Sequence, residues 1–308
     1  MTFEKTLTKA RSIKISYSSV CCILICFFML LRSYEFKQGV VAGLNQSFQI
    51  VIPTIFPFLI LSDFWTAYFK INNDSFVART FTRIFNISPN GIVAFLCGAI
   101  CGFPLGVKIA RDLYERDEIN VDQLTFLSGL CNNPSLAFVV SGIGLGLLGS
   151  TTVGIKLYLC CIASAFFCGL LFRSGEQKSK NIPYKPRQSF DLVLSIRNSG
   201  MSSIIISSYI VFFSALFFSV KSMLNSQVFS AMIASLLEIS TASKYIIDAS
   251  DLSFVIKKIF IGFTLGFSGL SVHLQAFSIL PKECSRTRYL VMKATQGLIC
   301  SILSLLTI

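Results

Sequence analysis

Charge is what this sequence has least of: Asp, Glu, Lys and Arg make up 14% of 308 residues, while 53% are hydrophobic and the mean hydropathy is +0.70. A soluble domain carries roughly a quarter charged residues, so that class is excluded and a polytopic membrane protein remains. A secretory signal ahead of a globular domain is excluded as well. The apolar runs are too many for it, and the first, at 20–31, follows a basic leader without a small-residue cleavage site, so it reads as a retained helix. Histidine occurs once, at His273. Cys97 and Cys101 stand one helical turn apart but lack a second pair or a nearby histidine, so no metal site is read there. There is no GxSxG elbow and no HExxH motif, and Ser135, Ser271 and His273 do not make a nucleophile and base without one; no enzyme is expected. Most of the eleven cysteines lie in apolar segments as small hydrophobes, and no disulfide is assigned.

Acids are also outnumbered by bases, 15 to 27, for a formal charge of +12. In a soluble protein that excess would point to nucleic acid. Here Lys and Arg sit mostly in the short connections between apolar segments, where they report topology and anionic lipid headgroups, so lipid is the expected partner and nucleic acid is not.

What is present is a series of membrane-length apolar segments, at about 16–31, 48–69, 91–110, 124–148, 152–172, 201–220, 228–247, 254–280 and 290–308. Two amphipathic pieces, 75–85 and 189–199, carry Arg among large hydrophobes as interfacial helices do. The basic connections are Lys5 to Lys14, then Lys70, Arg79 and Arg83, then Arg173 to Arg197, then Lys282 to Arg288. Each should face the cytoplasm. If every segment crossed, the third and most basic connection would be stranded outside. One segment before it must therefore turn back, and Gly102, Pro104 and Gly106 in 91–110 can form the tip of a re-entrant hairpin. The same reasoning makes the segment holding Leu237 to Lys244 a second hairpin, entered from the opposite face. Lys257 and Lys258 then fall on the outer side, against the general bias.

One offset aligns the halves. It sets Gly102-Phe-Pro-Leu-Gly106 beside Glu238-Ile-Ser-Thr-Ala242, Leu130-Cys-Asn-Asn-Pro-Ser135 beside Gly266-Phe-Ser-Gly-Leu-Ser271, and Lys108 beside Lys244. Each half reads as leading helix, hairpin, broken helix and closing helix. The fold expected is an all-α polytopic membrane protein, an inverted repeat with two re-entrant hairpins and two broken transmembrane helices. Its parts are a leader and first transmembrane helix at 1–37, a first repeat at 38–173 (hairpin 91–112, broken helix 120–149), a basic cytoplasmic linker at 174–188, and a second repeat at 189–308 (hairpin 224–250, broken helix 253–280, final helix 288–308).

The motifs Ile52-Pro-Thr-Ile-Phe-Pro-Phe58, Gly102-Phe-Pro-Leu-Gly-Val-Lys-Ile-Ala-Arg-Asp-Leu-Tyr114, Cys131-Asn-Asn-Pro-Ser135, Leu236-Leu-Glu-Ile-Ser240 and Gly266-Phe-Ser-Gly-Leu-Ser-Val-His-Leu-Gln275 resemble the YlbJ (SpoVV) sporulation integral membrane proteins. The resemblance covers about residues 38–280 in consistent order. It implies "nucleoside recognition" Gate domains distantly similar to concentrative nucleoside transporters, and movement of dipicolinate across a forespore membrane during spore formation.

Polar groups inside apolar segments are functional-site candidates by default. A carboxylate could be met by half-helix N-termini behind Pro104 and Pro134, by the side chains of Asn132 and Asn133 as caps, and by the Lys108 ammonium. Lys108 can equally snorkel to the interface. Glu238 could bind a proton or sodium ion or meet the solute, with Ser240, Thr241 and Ser243 supplying hydroxyls and caps; the alternative is a structural pair with Lys244. His273 shares its segment with Ser268, Ser271 and Gln275 and is open to proton relay, solute contact or packing. Phe103 and Phe267 could stack on a planar ring or pack against lipid and core. The candidate solute-binding set is therefore Gly102, Phe103, Pro104, Gly106, Lys108, Asn132, Asn133, Ser135, Glu238, Ser240, Thr241, Ser268, Ser271, His273 and Gln275.

The favoured expectation is a secondary transporter of a small planar anion, dipicolinate by the resemblance, held in the bacterial cytoplasmic membrane or a forespore membrane with its N-terminus in the cytoplasm. A nucleoside or base transporter, and a non-transporting scaffold of spore or envelope assembly, are the alternatives. The partners expected are the solute, anionic lipid and further copies of the chain, with no cofactor beyond a coupling proton or sodium ion.

Overall fold

Helices account for every regular element of the computed structural model, which describes residues 17–68, 75–173 and 190–307. The basic leader and the 174–188 linker lie outside the described residues. In chain order, α1 (Tyr17–Leu31) and α2 (Ser33–Gln46) lead through a π-helical turn, Ser47–Val51, into α3 (Ile52–Tyr68). Then come α4 (Phe76–Phe85), α5 (Gly91–Cys101), α6 (Leu105–Glu115), α7 (Val121–Cys131), a π-helical stretch Phe138–Leu147, and α8 (Thr151–Leu171). The remainder is α9 (Leu192–Lys221), α10 (Gln227–Leu237), α11 (Ile239–Asp248), α12 (Phe254–Phe267), α13 (Leu270–Ile279) and α14 (Arg286–Thr307).

Five stretches are long and apolar enough to cross a membrane: Ser33–Phe64, Thr151–Leu171, Leu192–Lys221, Phe254–Ile279 and Arg286–Thr307. The chain is an all-helical membrane protein. By contrast, α5 and α10 have 11 residues each, about 16 Å of helix against a hydrocarbon core of about 30 Å. Neither crosses alone, and each is followed closely by a helix that packs back on it, α6 on α5 and α11 on α10.

Two boundaries differ from the expectation. The segment expected to begin at 48 starts at Ser33 instead, because the more polar 33–46 stretch docks along α9. A Cβ added at Gly39 would lie 2.5 Å from the Cα of Ala215, and one at Gly43 would lie 2.7 Å from that of Val211. Such close approach is what small residues allow between membrane helices. The amphipathic piece at 189–199 does not stand alone. It is the first part of α9, capped by the Asp191 carboxylate, which accepts the Leu194 N–H at 3.1 Å. Ser195 Oγ donates to Asp63 Oδ2 at 2.8 Å, tying it to α3. Its counterpart at 75–85 is a separate helix, α4, because Asn86 adopts a left-handed conformation and ends it.

Where short helices meet, the joints are built from small or satisfied groups. At the base of the α5–α6 pair, Asn90 Nδ2 donates to the buried Glu118 carboxylate at 2.6 Å. At the base of the α10–α11 pair, Lys257 Nζ donates to the Ile247 carbonyl at 2.6 Å, and the Lys258 ammonium sits 4.5 Å from the Phe254 ring centroid. Helix C-termini favour such a cation, so Lys257 closes the end of α11. The α8 helix crosses the Phe138–Leu147 stretch where Gly144 faces Gly154, and α14 lies along α12 where Gly266 faces Gly297.

A Cβ at Gly266 would sit 2.7 Å from both the Gln296 carbonyl oxygen and the Gly297 Cα, whereas one at Gly200 meets nothing within 4 Å. Gly266→Ala is therefore expected to destabilise the protein by about 1–3 kcal/mol through overpacking. Gly200→Ala should be neutral or stabilising by up to about 1 kcal/mol, as mid-helix glycine replacement is. Thermal unfolding midpoints of the two purified variants in detergent check the contrast.

Candidate functional site

The junctions of both short helix pairs and residues that follow both helix breaks converge on one small cavity. Gly102 and Phe103 come from the α5–α6 junction, Ser135 from the break after α7, Glu238 and Ser240 from the α10–α11 junction, and Ser271 and Gln275 from α13. The walls are completed by Phe138, by Val51 and Ile55 of the long first span, and by Ile206 and Ile210 of α9. Open space at its centre amounts to about one water molecule, so an organic solute can occupy it only after these elements separate.

Local chemistry explains why each group is held there. Gly102 has φ 83°, and a Cβ on it would lie 2.6 Å from the Ser135 backbone nitrogen, so both its conformation and its contact require glycine. Ser135 Oγ accepts the Phe138 N–H at 3.1 Å and starts the helical turn after the break. Glu238 caps α11 with both carboxylate oxygens: Oε1 accepts from Ser240 N at 3.0 Å and Oε2 from Thr241 N at 2.6 Å. A carboxylate on two helix N-terminal donors is stabilised by those bonds and by the helix dipole. Ser268 and Gly269, at φ 77° and 85°, end α12 and admit the Glu238 backbone, which would stand 3.0 Å from a Cβ on Gly269. Ser271 Oγ and Gln275 Oε1 are buried and have no hydrogen-bond partner among the described residues. Both belong to residues that line the cavity, where a solute can use them.

Not every expected residue reaches the cavity. Lys108 is exposed on α6 and is absent from the cavity wall, so it does not stand ready for a carboxylate there. Pro104 follows a cis Phe103–Pro104 peptide at the start of α6, and a Cβ on Gly106 would lie 2.5 Å from the Cys131 carbonyl oxygen. Ser268 is fully buried behind the wall. Glu238 does not pair with Lys244, which instead bridges Asp248 at 3.1 Å. Glu238 takes the capping role expected of the neighbouring hydroxyls. Phe103 is on the wall, whereas Phe267 stacks on Phe263 at 5.3 Å and meets the His273 ring edge-on.

Asn132, Asn133 and His273 are also behind the wall, in a network that corrects their expected role as caps and exposes what sequence reasoning missed. Asn132 Nδ2 donates to the Tyr289 hydroxyl at 2.6 Å, and that hydroxyl lies 3.2 Å from His273 Nδ1. With its oxygen accepting from Asn132, the hydroxyl proton is free to go to Nδ1, leaving Nε2 protonated and without a partner among the described residues. Asn133 Nδ2 donates to the Leu130 carbonyl at 2.8 Å, and Gln296 Nε2 donates to Asn133 Oδ1 at 2.8 Å. Lys293 Nζ donates to the Asn132 carbonyl at 2.8 Å and to Gln296 Oε1 at 2.6 Å. Tyr289, Lys293 and Gln296 all belong to α14. Their signal was present as Lys293 and Gln296 three apart inside the final apolar segment, the spacing that puts both on one helix face.

A second, wider cleft of about 840 Å³ lies beside the cavity, lined by Asn45, Gln46, Lys221, Gln227, Thr241 and Lys244 among others. Thr241 Oγ1 reaches Gln46 Oε1 at 3.5 Å on the wall of this cleft, while neighbouring Ser240 lines the inner cavity. Elsewhere Arg111 donates to the Ile279 carbonyl and joins the first helix pair to α13.

Tyr289→Phe keeps the ring and removes the hydroxyl, stranding Asn132 Nδ2 and His273 Nδ1. A loss of about 1–3 kcal/mol is expected for buried groups left unpaired, read as a lower thermal unfolding midpoint in detergent. An unchanged midpoint would contradict the network.

Comparison with curated proteins finds similarity to the sporulation integral membrane protein YlbJ of Bacillus subtilis (strain 168), 22% identical over an alignment of 308 positions that takes in 86% of this chain and 75% of YlbJ. No protein-family model matches the chain, and no solved structure is a significant match. The similarity to YlbJ agrees with the resemblance carried by the motifs.

Proposed function

We propose that this protein is a secondary transporter of a small planar solute, working by alternating access in a bacterial membrane, with a role in spore formation. The observation that carries the reading is the convergence on one cavity of both helix-pair junctions, of Ser135 after the first helix break, and of Ser271 and Gln275 after the second. In a membrane, interrupted backbone is tolerated where it is covered by protein or lines a solute path. Paired interruptions in two halves mark the binding site of many transporters.

On this reading the halves are inverted Gate-type repeats, with α5–α6 and α10–α11 as re-entrant hairpins entered from opposite faces and α7 and α12 leading into broken transmembrane helices. The repeats span 38–173 and 189–308 around a cytoplasmic linker, and the N-terminus is cytoplasmic. Alternating access follows if the cavity opens to the wide cleft through the Gln46–Thr241 contact, or to the other side through the Arg111–Ile279 contact. A forespore membrane is the location that similarity to a sporulation protein favours. Dipicolinate is the solute that the resemblance implies. No bond-making chemistry is assigned to the protein.

One observation favours a second solute class. The cavity wall carries a carboxylate, Glu238, with Ser240, Ser271 and Gln275, while Lys108 faces away. Donors and acceptors without a cation suit a neutral heteroaromatic such as a nucleoside or base.

Counterflow into proteoliposomes tests both, with dipicolinate and a nucleoside panel as solutes. Glu238→Gln and Ser271→Ala are expected to cut flux about 10-fold or more, the effect of losing one hydrogen bond of about 1.5 kcal/mol. Lys108→Ala should leave it unchanged. Dipicolinate flux supports the anion reading, nucleoside flux the second. Folded protein that moves neither solute overturns transport of these classes and leaves a scaffold of spore or envelope assembly as the reading to pursue.

A further inference from the structure

The solute path leaves the most unusual side chain of the protein unused. Lys293 is fully buried in the final membrane helix, and no carboxylate pairs with it among the described residues. The titratable groups around it are the thiols of Cys131 on α7, Cys161 and Cys168 on α8 and Cys300 on α14, with His273 of α13 nearby. An isolated ammonium in such surroundings is costly unless its hydrogen atoms are taken up.

Oxygen takes up two of the three. The α7 helix stops at Cys131, and the chain runs without helical hydrogen bonds until after Ser135. The Asn132 carbonyl is thereby free of any helix and accepts from Lys293 Nζ at 2.8 Å. Gln296 Oε1 accepts at 2.6 Å, and the Gln296 amide is held by Asn133 Oδ1 at 2.8 Å. A released backbone carbonyl and a side-chain amide oxygen, fixed by a second shell, supply two of the hard oxygen ligands that a small bare cation takes, water being able to supply the rest.

We propose that the Lys293 ammonium is a tethered cation that fills an oxygen-lined cation site at the first helix break, so that the break is held closed without a free monovalent cation. The lysine neutralises the carbonyl and amide oxygens that the interruption releases, and α14 thereby clamps the unwound segment against α7 and α8. Truncating the side chain to alanine leaves those oxygens facing the space the lysine vacates, which sodium or methylammonium can enter. If the protein transports as proposed above, its flux draws on no sodium bound at this place. The stability arm of the test is independent of that reading.

The experiment is thermal unfolding of the purified full chain in detergent, in sodium, methylammonium and choline chlorides at equal ionic strength. The unmodified protein should melt at the same temperature in all three. Lys293→Ala should melt lower in choline and recover in sodium or methylammonium, with a rise that saturates as the salt concentration increases. Lys293→Met, which fills the volume without charge, should stay low in every salt. The proposal is overturned if the unmodified protein is stabilised by sodium over choline, if Lys293→Ala is lowered equally in all salts, or if Lys293→Met melts like the unmodified protein. The unmodified protein alone decides the first of these, so a variant that fails to fold does not protect the idea. In proteoliposomes, solute uptake by the unmodified protein should be equal in sodium and choline; absence of all uptake would count against the transporter reading and leave the melting result standing.

Discussion

A helix interrupted inside a membrane protein releases backbone donors and acceptors that water cannot reach, and each must be answered from within. That constraint organises this protein. The α5–α6 junction lies against the break after α7, where Gly102 meets Ser135, and the α10–α11 junction lies against the break after α12, where Glu238 meets Gly269. Each interruption thus covers another. Their remaining groups are met by a cap at Ser135, by the Glu238 carboxylate on two N–H donors, and by Lys293 on the Asn132 carbonyl.

The same arrangement sets where small residues go. Backbones that cover one another must approach closely, and glycine allows it at Gly98, Gly102 and Gly106 along the first helix pair, all of which face the end of α7 or the residues just beyond it. Farther out, glycine pairs join the closing helices α8 and α14 to the elements beside them. Toward the cavity, Ser271 Oγ and Gln275 Oε1 have no partner among the described residues. Buried polar atoms left without a partner are uncommon in folded proteins, and these two sit on residues of the cavity wall.

How much of the site was legible depended on the residue. The tip at Gly102 and the break near Ser268 announced themselves because glycine and paired polar residues inside apolar runs have few other uses. Glu238 could be placed at a tip, but its capping of its own helix could not be foreseen, since Ser240, Thr241 and Ser243 were equally good caps by type. Lys108 and Lys293 show the limit most plainly. Both are lysines near the ends of apolar runs, and composition does not distinguish one that faces outward from one buried against Asn132. Only the partners on other segments do, and those lie more than a hundred residues away in sequence.

By itself the sequence determined the solvent and much of the local punctuation: a chain this apolar belongs in a membrane, and glycine, proline and paired polar residues mark the places where a helix can break, because hydropathy and backbone conformational freedom are properties of short stretches. It also carried the offset that pairs the Gly102 junction with the Glu238 junction. The tertiary structure decided which interruption covers which, which lysine is buried, and which of the polar residues face a common cavity. Those outcomes depend on hydrogen bonds and close contacts between distant helices, such as Gln296 with Asn133 and Gly269 with Glu238. No window of sequence contains both partners of such a contact.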